Sequence, residues 1–518
     1  MAKTVKKTKS KAKRHKKPDR IADLADELLD PSTAKIPKVY SNKTLSNQTI
    51  VKLIPYQVPH VVKMIEIINQ KGIALDCSDA GIGKTFMSLA IAKELGKRPF
   101  IICPSSVLSY WASVTETMGV VPYEIVNLET FKMGNVYRDF EFKKRRKSRH
   151  IDLGARGANA GDADYYVWHL PVDAVIILDE GHRCKEPGTE NGKLLMSMKQ
   201  LMIQRIPVMV LSATICEKFT DMKILFYLFG AIPAVRQFNE FVRSLEEKYD
   251  ARDLNKKRRG ESREEYITRR DNAYSMMIHS EIREYVSRIK IRDLGDKFPS
   301  NQWCAQLFNA PATEEIAQRY AALAEHLRAL RGAEDNGHHL GEIVKLKQEI
   351  ESRKVPIFIE QAKLHLEDGK SVIIFVNYTE TLKKLCEILE IKCKVYGDQT
   401  KDERNEAIAL FQSNKERIII CNIKAGGVGI SLHDLDGNFP RVTLLNFCAR
   451  AGDLLQALGR APRSGAKSPV IQRIICVANV EYEKTVMKCI NRKLMNISAI
   501  NDGDLFGYRY KIRKIRRV

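Results

Sequence analysis

What the 518-residue sequence lacks narrows its class before any motif is read. No apolar run approaches the ~20 residues needed to span a bilayer, and the N-terminal stretch MAKTVKKTKSKAKRHKKPDR has no apolar core to serve as a secretory signal. A membrane partner is therefore not expected. The 11 cysteines include no CxxC pair, so the sequence predicts free or buried thiols in a reducing compartment and neither a disulfide framework nor a zinc site. No internal repeat of short fixed period is present. Acidic residues are in deficit: 63 Asp and Glu stand against 86 Lys and Arg, a formal charge of +23 that draws polyanions such as nucleic acid. Hydrophobic residues at 44% and charged residues at 29% are those of a folded globular chain. At about 150 residues per domain, the length predicts roughly three folded units.

Short all-apolar runs alternate with helical patterns in two series. The first comprises IALDC (73–77), PFIICP (99–104), DAVIILDE (173–180) and PVMVLSAT (207–214). The second comprises SVIIFV (371–376), RIIICN (417–422), VTLLNF (442–447) and IQRIICV (471–477). Buried strands separated by helix-length segments predict two parallel-sheet α/β lobes, 41–235 and 356–505. Between them, 236–355 is rich in Glu, Arg and Lys, with runs such as EEIAQRYAALAEHLRALRG, and reads as a helical insertion or linker. The stretch KKRRKSRHIDLGARGANAGDADYY (143–166) reads as a long exposed loop inside the first lobe. Residues 1–40 read as a basic flexible tail, and 506–518, with YRYKIRKIRRV, as a second basic tail whose Tyr508 and Tyr510 suit stacking beside phosphate contact. Both tails and the KKRRKSR segment are expected to add salt-sensitive affinity for nucleic acid, although a solvated end accounts for either tail equally well.

The stretch SDAGIGKT runs from a strand pattern into a run of helix formers. That context suits a phosphate loop. Ser78, Asp79, Ala80, Gly81, Ile82 and Gly83 form the turn, with amides facing an anion; Lys84 brings a positive charge to the β and γ phosphates; Thr85 would ligate Mg²⁺. Ser78 stands where the general GxxxxGK[ST] pattern has glycine. Farther on, the strand VIIL delivers DEGH. Two carboxylates cost several kcal/mol to bury unpaired, so packing explains them poorly. Asp179 is expected to hold Mg²⁺ and Glu180 to accept a proton from, or orient, the attacking water. His182 gains a coupling role only from its place beside them.

In their order SDAGIGKT, DEGH and SAT (212–214) resemble motifs I, II and III of helicase superfamily two. PYQ (55–57) resembles the adenine-recognition element, which implies Gln57 as the base contact. CPSSVLSYW (103–111), with Ser105, resembles motif Ia of the Swi/Snf-type branch, as does the sequence following DEGH. NIKAGGVGISL (422–432) resembles motif V, which implies that Gly426 and Gly427 approach a sugar-phosphate chain. QALGRAPR (456–463) resembles motif VI, which implies that Gln456 faces the nucleotide while Arg460 and Arg463 reach the γ phosphate from across the cleft. VEYEKTVMKCINRKLMNISAINDGD resembles the helical brace that closes the second lobe in that branch.

The resemblance spans roughly residues 50 to 505 and implies two RecA-like lobes with ATP and Mg²⁺ between them. It implies an ATP-dependent motor on nucleic acid, duplex DNA before single strands, with RNA possible. Its compact length is similar to forms in large DNA viruses and phages. Two alternatives stand beside the DNA translocase: a strand-separating DNA or RNA helicase, for which SAT speaks, and a basic nucleic-acid-binding scaffold without turnover. Gly181 replaces the more usual Ala or Cys and is expected to be tolerated as the loss of a small side chain. Both arginines lie in this chain, so a monomer is expected to be competent. The basic tail fits the host nucleus, or the cytoplasm or virion of a viral source.

Overall fold

Ten strands belong to the first half of the described chain: β1 Ile73–Asp76, β2 Arg98–Cys103, β3 Glu124–Asn127, β4 Asn135–Tyr137, β5 Arg145–Lys147, β6 Ile151–Leu153, β7 Tyr166–Trp168, β8 Ala174–Asp179, β9 Val208–Leu211 and β10 Val286–Ser287. Seven follow: β11 Asn301–Phe308, β12 Ser371–Val376, β13 Lys394–Val395, β14 Ile418–Asn422, β15 Arg441–Leu445, β16 Val470–Val477 and β17 Lys511–Lys514. The computed structural model describes residues 45–139, 141–154, 166–295, 298–330, 337–426, 429–448, 450–503 and 511–514. The tail expected over 1–40 lies outside these residues, as does Gly427.

Two parallel sheets carry the lobes. The first has strand order β10-β1-β9-β8-β2-β3 and the second β13-β14-β12-β15-β16-β11-β17, with every pairing parallel. The α/β class read from the two series of apolar runs is therefore the observed one. Strands such as β1, β9, β12 and β14 are buried at every position because helices cover both faces of each sheet, which is why they lack polar alternation. In both sheets the order reverses across the middle strands, so the loops at their carboxyl ends converge on a crevice.

Three expectations need correction. Segment 236–355 is not a purely helical insertion: β10 adds the edge strand of the first sheet and β11 an inner strand of the second. β10 has two residues, too short for a periodicity signal, and β11, NQWCAQLF, mixes polar and apolar positions where the other strands do not. The loop expected over 143–166 contains paired strands: β4 with β5 and β6 with β7 form antiparallel ribbons. Tyr166 and Trp168 explain the second, since alternate residues point inward and the Trp168 indole donates to Ser197 Oγ at 2.8 Å. Finally, within the expected C-terminal tail, the backbone of β17 pairs with β11 and ends the second sheet.

The first lobe has one core, and the second has one on each sheet face. The helix Glu481–Asp502 joins them: Met487, Ile490, Leu494 and Ile497 lie in a second-lobe core and Ile500 in the first-lobe core. No helix among the described residues is long and apolar enough to cross a membrane.

Candidate active site between the lobes

The turn after β1 is built to leave its backbone bare. Gly81 and Gly83 have φ of +88° and +93°, the left-handed region that glycine enters without steric cost. A methyl group at Gly81 would come within 2.9 Å of Arg463 Cγ, and one at Gly83 within 2.5 Å of Gln57 Nε2. Gln57 therefore sits against the phosphate loop. Its Oε1 accepts from the Ile54 N–H at 2.9 Å and its Nε2 donates to the Ile82 carbonyl at 2.7 Å, so holding the loop is its task here. Lys84 Nζ donates to the carbonyls of Ser78 and Asp79 at 2.8 and 3.0 Å. Beneath the loop, the Ser78 N–H donates to Asp76 Oδ1 at 2.9 Å, and Asp76 faces His60 at 3.2 Å. Burial pushes the Asp76 carboxyl up, but the charge and hydrogen bond of His60 outweigh it and hold the group down at about 2.

Asp179 ends β8, and Glu180 follows with φ +54°, a left-handed turn that separates the two carboxylates. The Glu180 N–H and the Trp111 indole N–H donate to the two oxygens of Asp179 at 2.9 and 3.1 Å. Burial and the neighbouring Glu180 charge raise the Asp179 carboxyl. Glu180, despite its own burial, is held low by His182, Lys84 and Arg460. His182 Nδ1 lies 3.2 Å from Glu180 Oε2 and 3.0 Å from Ser212 Oγ, so one imidazole touches both the acidic turn and the SAT segment. At Gly181 the missing side chain suits the site: a methyl group there would run into the Val210 side chain on β9.

The second lobe closes the crevice with the helix Ala451–Leu458 and the turn after it. Gln456 Nε2 donates to Glu180 Oε2 at 3.1 Å across the lobes, and a methyl group on Gly459 would come within 2.7 Å of Ala80 Cβ. Arg460 donates to the Gln456 carbonyl at 2.7 Å, and Arg463 to Ser431 Oγ at 2.7 Å. Among the described residues neither guanidinium forms an ion pair. Burial pushes both pKa values down, and with the added repulsion of Arg460 that of Arg463 falls to about 9. Arg460 is buried near the Glu180 and Asp179 charges, whereas the half-buried Arg463 has the Arg460 cation beside it, so an anion joining the two would be favoured.

These groups line a cavity of about 380 Å³, with Lys84, Thr85, Gly83 and Gln57 on one side, Asp179 and Glu180 behind, and Arg460 and Arg463 opposite. The donors suit a polyphosphate, and the carboxylates beside Thr85 supply the oxygen ligands that a hard divalent cation takes. The residues present thus fit ATP with Mg²⁺. Among the described residues there is no separate cluster of three or more metal-ligating side chains.

Ser105 is exposed at the carboxyl end of β2, and Gly429 packs against Ser106 and Val107 from the other lobe. Ser109 also contacts Lys401 of the second lobe. Gly426 ends the short helix Ile423–Gly426 after β14. Two residues given no role by the sequence belong here. Trp111, in the CPSSVLSYW stretch, orients Asp179. Glu217 accepts from the Gly452 N–H at 2.8 Å and pairs with Lys493 at 3.3 Å, tying the segment after SAT to two helices of the second lobe. The tryptophan closing CPSSVLSYW was a visible signal; Glu217 offered none.

Residues 354–465 match the family described as the helicase conserved C-terminal domain. Over 504 residues the chain is 54% identical to "Putative ATP-dependent RNA helicase L364" of Acanthamoeba polyphaga mimivirus, covering 96% of this chain and 92% of that one. It is 24% identical over 477 residues to the chromodomain-helicase-DNA-binding protein 1-like of Danio rerio, covering 85% of this chain and 43% of that protein. Among solved structures, the Sulfolobus solfataricus SWI2/SNF2 ATPase core in complex with dsDNA aligns over 90% of this chain and 96% of its own, at 18% identity and a TM-score of 0.32. With the match to the mimivirus protein running nearly end to end, the chain belongs to the superfamily two helicases of viral type, ATP-dependent motors that act on nucleic acid.

Proposed function

We propose that this motor translocates on duplex DNA, hydrolysing ATP between its lobes and gripping a backbone across their tops. The observation that carries the reading is the bond from Gln456 to Glu180, because it puts the acidic turn of one lobe in direct contact with the arginine-bearing helix of the other. Opening and closing of the lobes then changes the hydrolytic geometry itself.

In this reading Lys84 and the loop amides bind the β and γ phosphates, and Gln57, by its remaining amide hydrogen, reads the base. Thr85 and Asp179 hold magnesium, which when bound neutralises phosphate charge. Glu180 orients the attacking water, kept ionised by the cations around it. Arg460 and Arg463 stabilise the transferring phosphoryl charge, a contribution of about a thousandfold or more in rate. His182 carries the change at Glu180 to Ser212, and Gln456 reports lobe closure. Ser105, Gly426 and Gly427 meet the nucleic-acid backbone.

The exposed, basic β4–β5 ribbon supports a grip wider than one strand. Lys144, Arg145, Lys147 and Arg149 are exposed, and Lys401 of the second lobe lies 6.0 Å from the Phe142 ring at the ribbon's turn. Cations from both lobes therefore flank the motif Ia side of the crevice. The second reading, an RNA helicase, draws on the name of the mimivirus relative. In either case the place of action is the infected cell, with nucleus, cytoplasm or virion as alternatives. Triplex displacement beside strand displacement separates the readings: triplex displacement without unwinding is expected, and RNA unwinding without duplex tracking would overturn the translocase.

A further inference from the structure

The phosphate loop is fastened at its rear to the connection between the lobes. Past β10, the Ile289 N–H donates to Ser78 Oγ and the Ile291 N–H to Asp79 Oδ2, each at 2.9 Å, while the Asp79 N–H donates to the Ile289 carbonyl at 3.0 Å. Arg288 stands at the centre. Its guanidinium pairs with Asp79 Oδ1 at 2.8 Å and with Asp502 Oδ1 at 2.7 Å, and it also donates to the Cys77 carbonyl. Lys290 approaches the same Asp502 oxygen at 3.4 Å. The Arg288 and Asp502 side chains are 6% and 2% exposed, so dissolved salt weakens their attraction little, while Asp79 and Lys290 are 15% and 24% exposed.

Asp502 is the last residue of the helix Glu481–Asp502. Its 22 residues extend about 33 Å, a rigid strut whose middle is packed in the second lobe and whose end is packed in the first. That end is held three further ways: the Ile500 carbonyl lies 2.9 Å from His279 Nδ1, Asn501 donates to the Ala213 carbonyl at 3.2 Å, and Gly503 turns with φ +66° against the His279 ring. Asp79 meanwhile faces two ways. Its carbonyl accepts from Lys84 Nζ at 3.0 Å, and its carboxylate holds Arg288. When Lys84 turns to a phosphate, the peptide it releases is the one whose side chain anchors the strut.

We infer that Asp79, Arg288 and Asp502 form a latch that couples the state of the phosphate loop to the C-terminal helix, with Arg288 and Asp502 as positioning residues. This rests on the motor reading for its consequence, stimulation of turnover by nucleic acid, and not for its geometry. Arg288 is the wrong first target, since its loss leaves two buried carboxylates facing each other and endangers the fold. Asp502 is the better one: Asp502→Asn keeps shape and removes charge, and Asp502→Ala removes both, while Asp79 still holds Arg288.

The test uses the full chain, with two readouts. In steady-state hydrolysis, both variants are expected to keep basal turnover and the KM for ATP within about threefold, while nucleic-acid-stimulated kcat falls about tenfold or more, inside the 5–150-fold range of allosteric couplings. In hydrogen exchange, residues 497–503 of the native protein are expected to change protection when a non-hydrolysable ATP analogue binds, and those of Asp502→Ala not to. Native exchange that ignores the analogue overturns the latch, as does a proportional fall of basal and stimulated rates. A native protein whose exchange responds but whose turnover no polynucleotide stimulates keeps the latch and overturns the motor reading instead.

Discussion

The two walls of the crevice are built on opposite principles. On the first-lobe wall, groups are satisfied from within: Lys84 on loop carbonyls, Asp179 under Trp111 and the Glu180 amide, Glu180 beside His182. Glu180 also accepts from Gln456 of the other wall. On the second-lobe wall, buried Arg460 and half-buried Arg463 hydrogen-bond to neutral oxygens, and Arg460 also feels the Glu180 and Asp179 charges across the crevice. The second wall holds two cations side by side, so a phosphate placed between them, and negative charge building up on it, would favour closure.

The comparison breaks first at its centre. Glu180→Gln is expected to retain ATP binding and to reduce turnover at least a hundredfold, read by fluorescent-nucleotide titration beside steady-state hydrolysis; unchanged turnover would remove Glu180 from its role. Arg460→Ala is expected to reduce kcat about a thousandfold with a far smaller change in nucleotide affinity, because its charge acts when phosphoryl charge develops. Lys84→Ala on the opposite wall should instead lose binding.

A smaller effect is expected beneath the acidic turn. Gly181→Ala forces a methyl group against Val210 and shifts the turn carrying Asp179, Glu180 and His182. Overpacking of this kind costs about 1–3 kcal/mol, so a lower melting temperature and a roughly tenfold loss of kcat are expected together. A variant with native melting and native rate would show that β9 yields.

The weakest effects are expected outside the crevice. Replacing Lys144, Arg145, Lys147 and Arg149 by Gln should leave basal hydrolysis intact, weaken DNA binding, and lower the slope of log affinity against log salt by about 0.9 per lost phosphate contact. Deleting residues 1–20 should do the same to a smaller degree; an unchanged slope would assign that tail to targeting or solubility.

How much of this was legible in the sequence follows from how far each residue's reason lies along the chain. The phosphate loop, the acidic turn and the arginine helix are contiguous patterns, each at a strand end that the apolar runs mark. The all-buried strands were visible for the same reason. β10, β11 and β17 were not, since two residues have no period and edge or mixed strands lose the apolar run. The ribbons were hidden by a basic stretch whose only strand signal is the alternation at Tyr166 and Trp168. For Gly181 the sequence gives the volume of the side chain it lacks and not the position of Val210, which is why glycine fits there. Glu217, Arg288 and Asp502 draw their meaning from partners more than 200 residues away. No local pattern carries that.

The central claim is that the crevice turns over ATP in response to a nucleic-acid backbone held across both lobes. Steady-state ATP hydrolysis at low salt, first without polynucleotide and then with duplex DNA, single-stranded DNA or RNA, tests it most directly. Strong stimulation by duplex DNA is the predicted result; turnover that no polynucleotide changes would contradict the account.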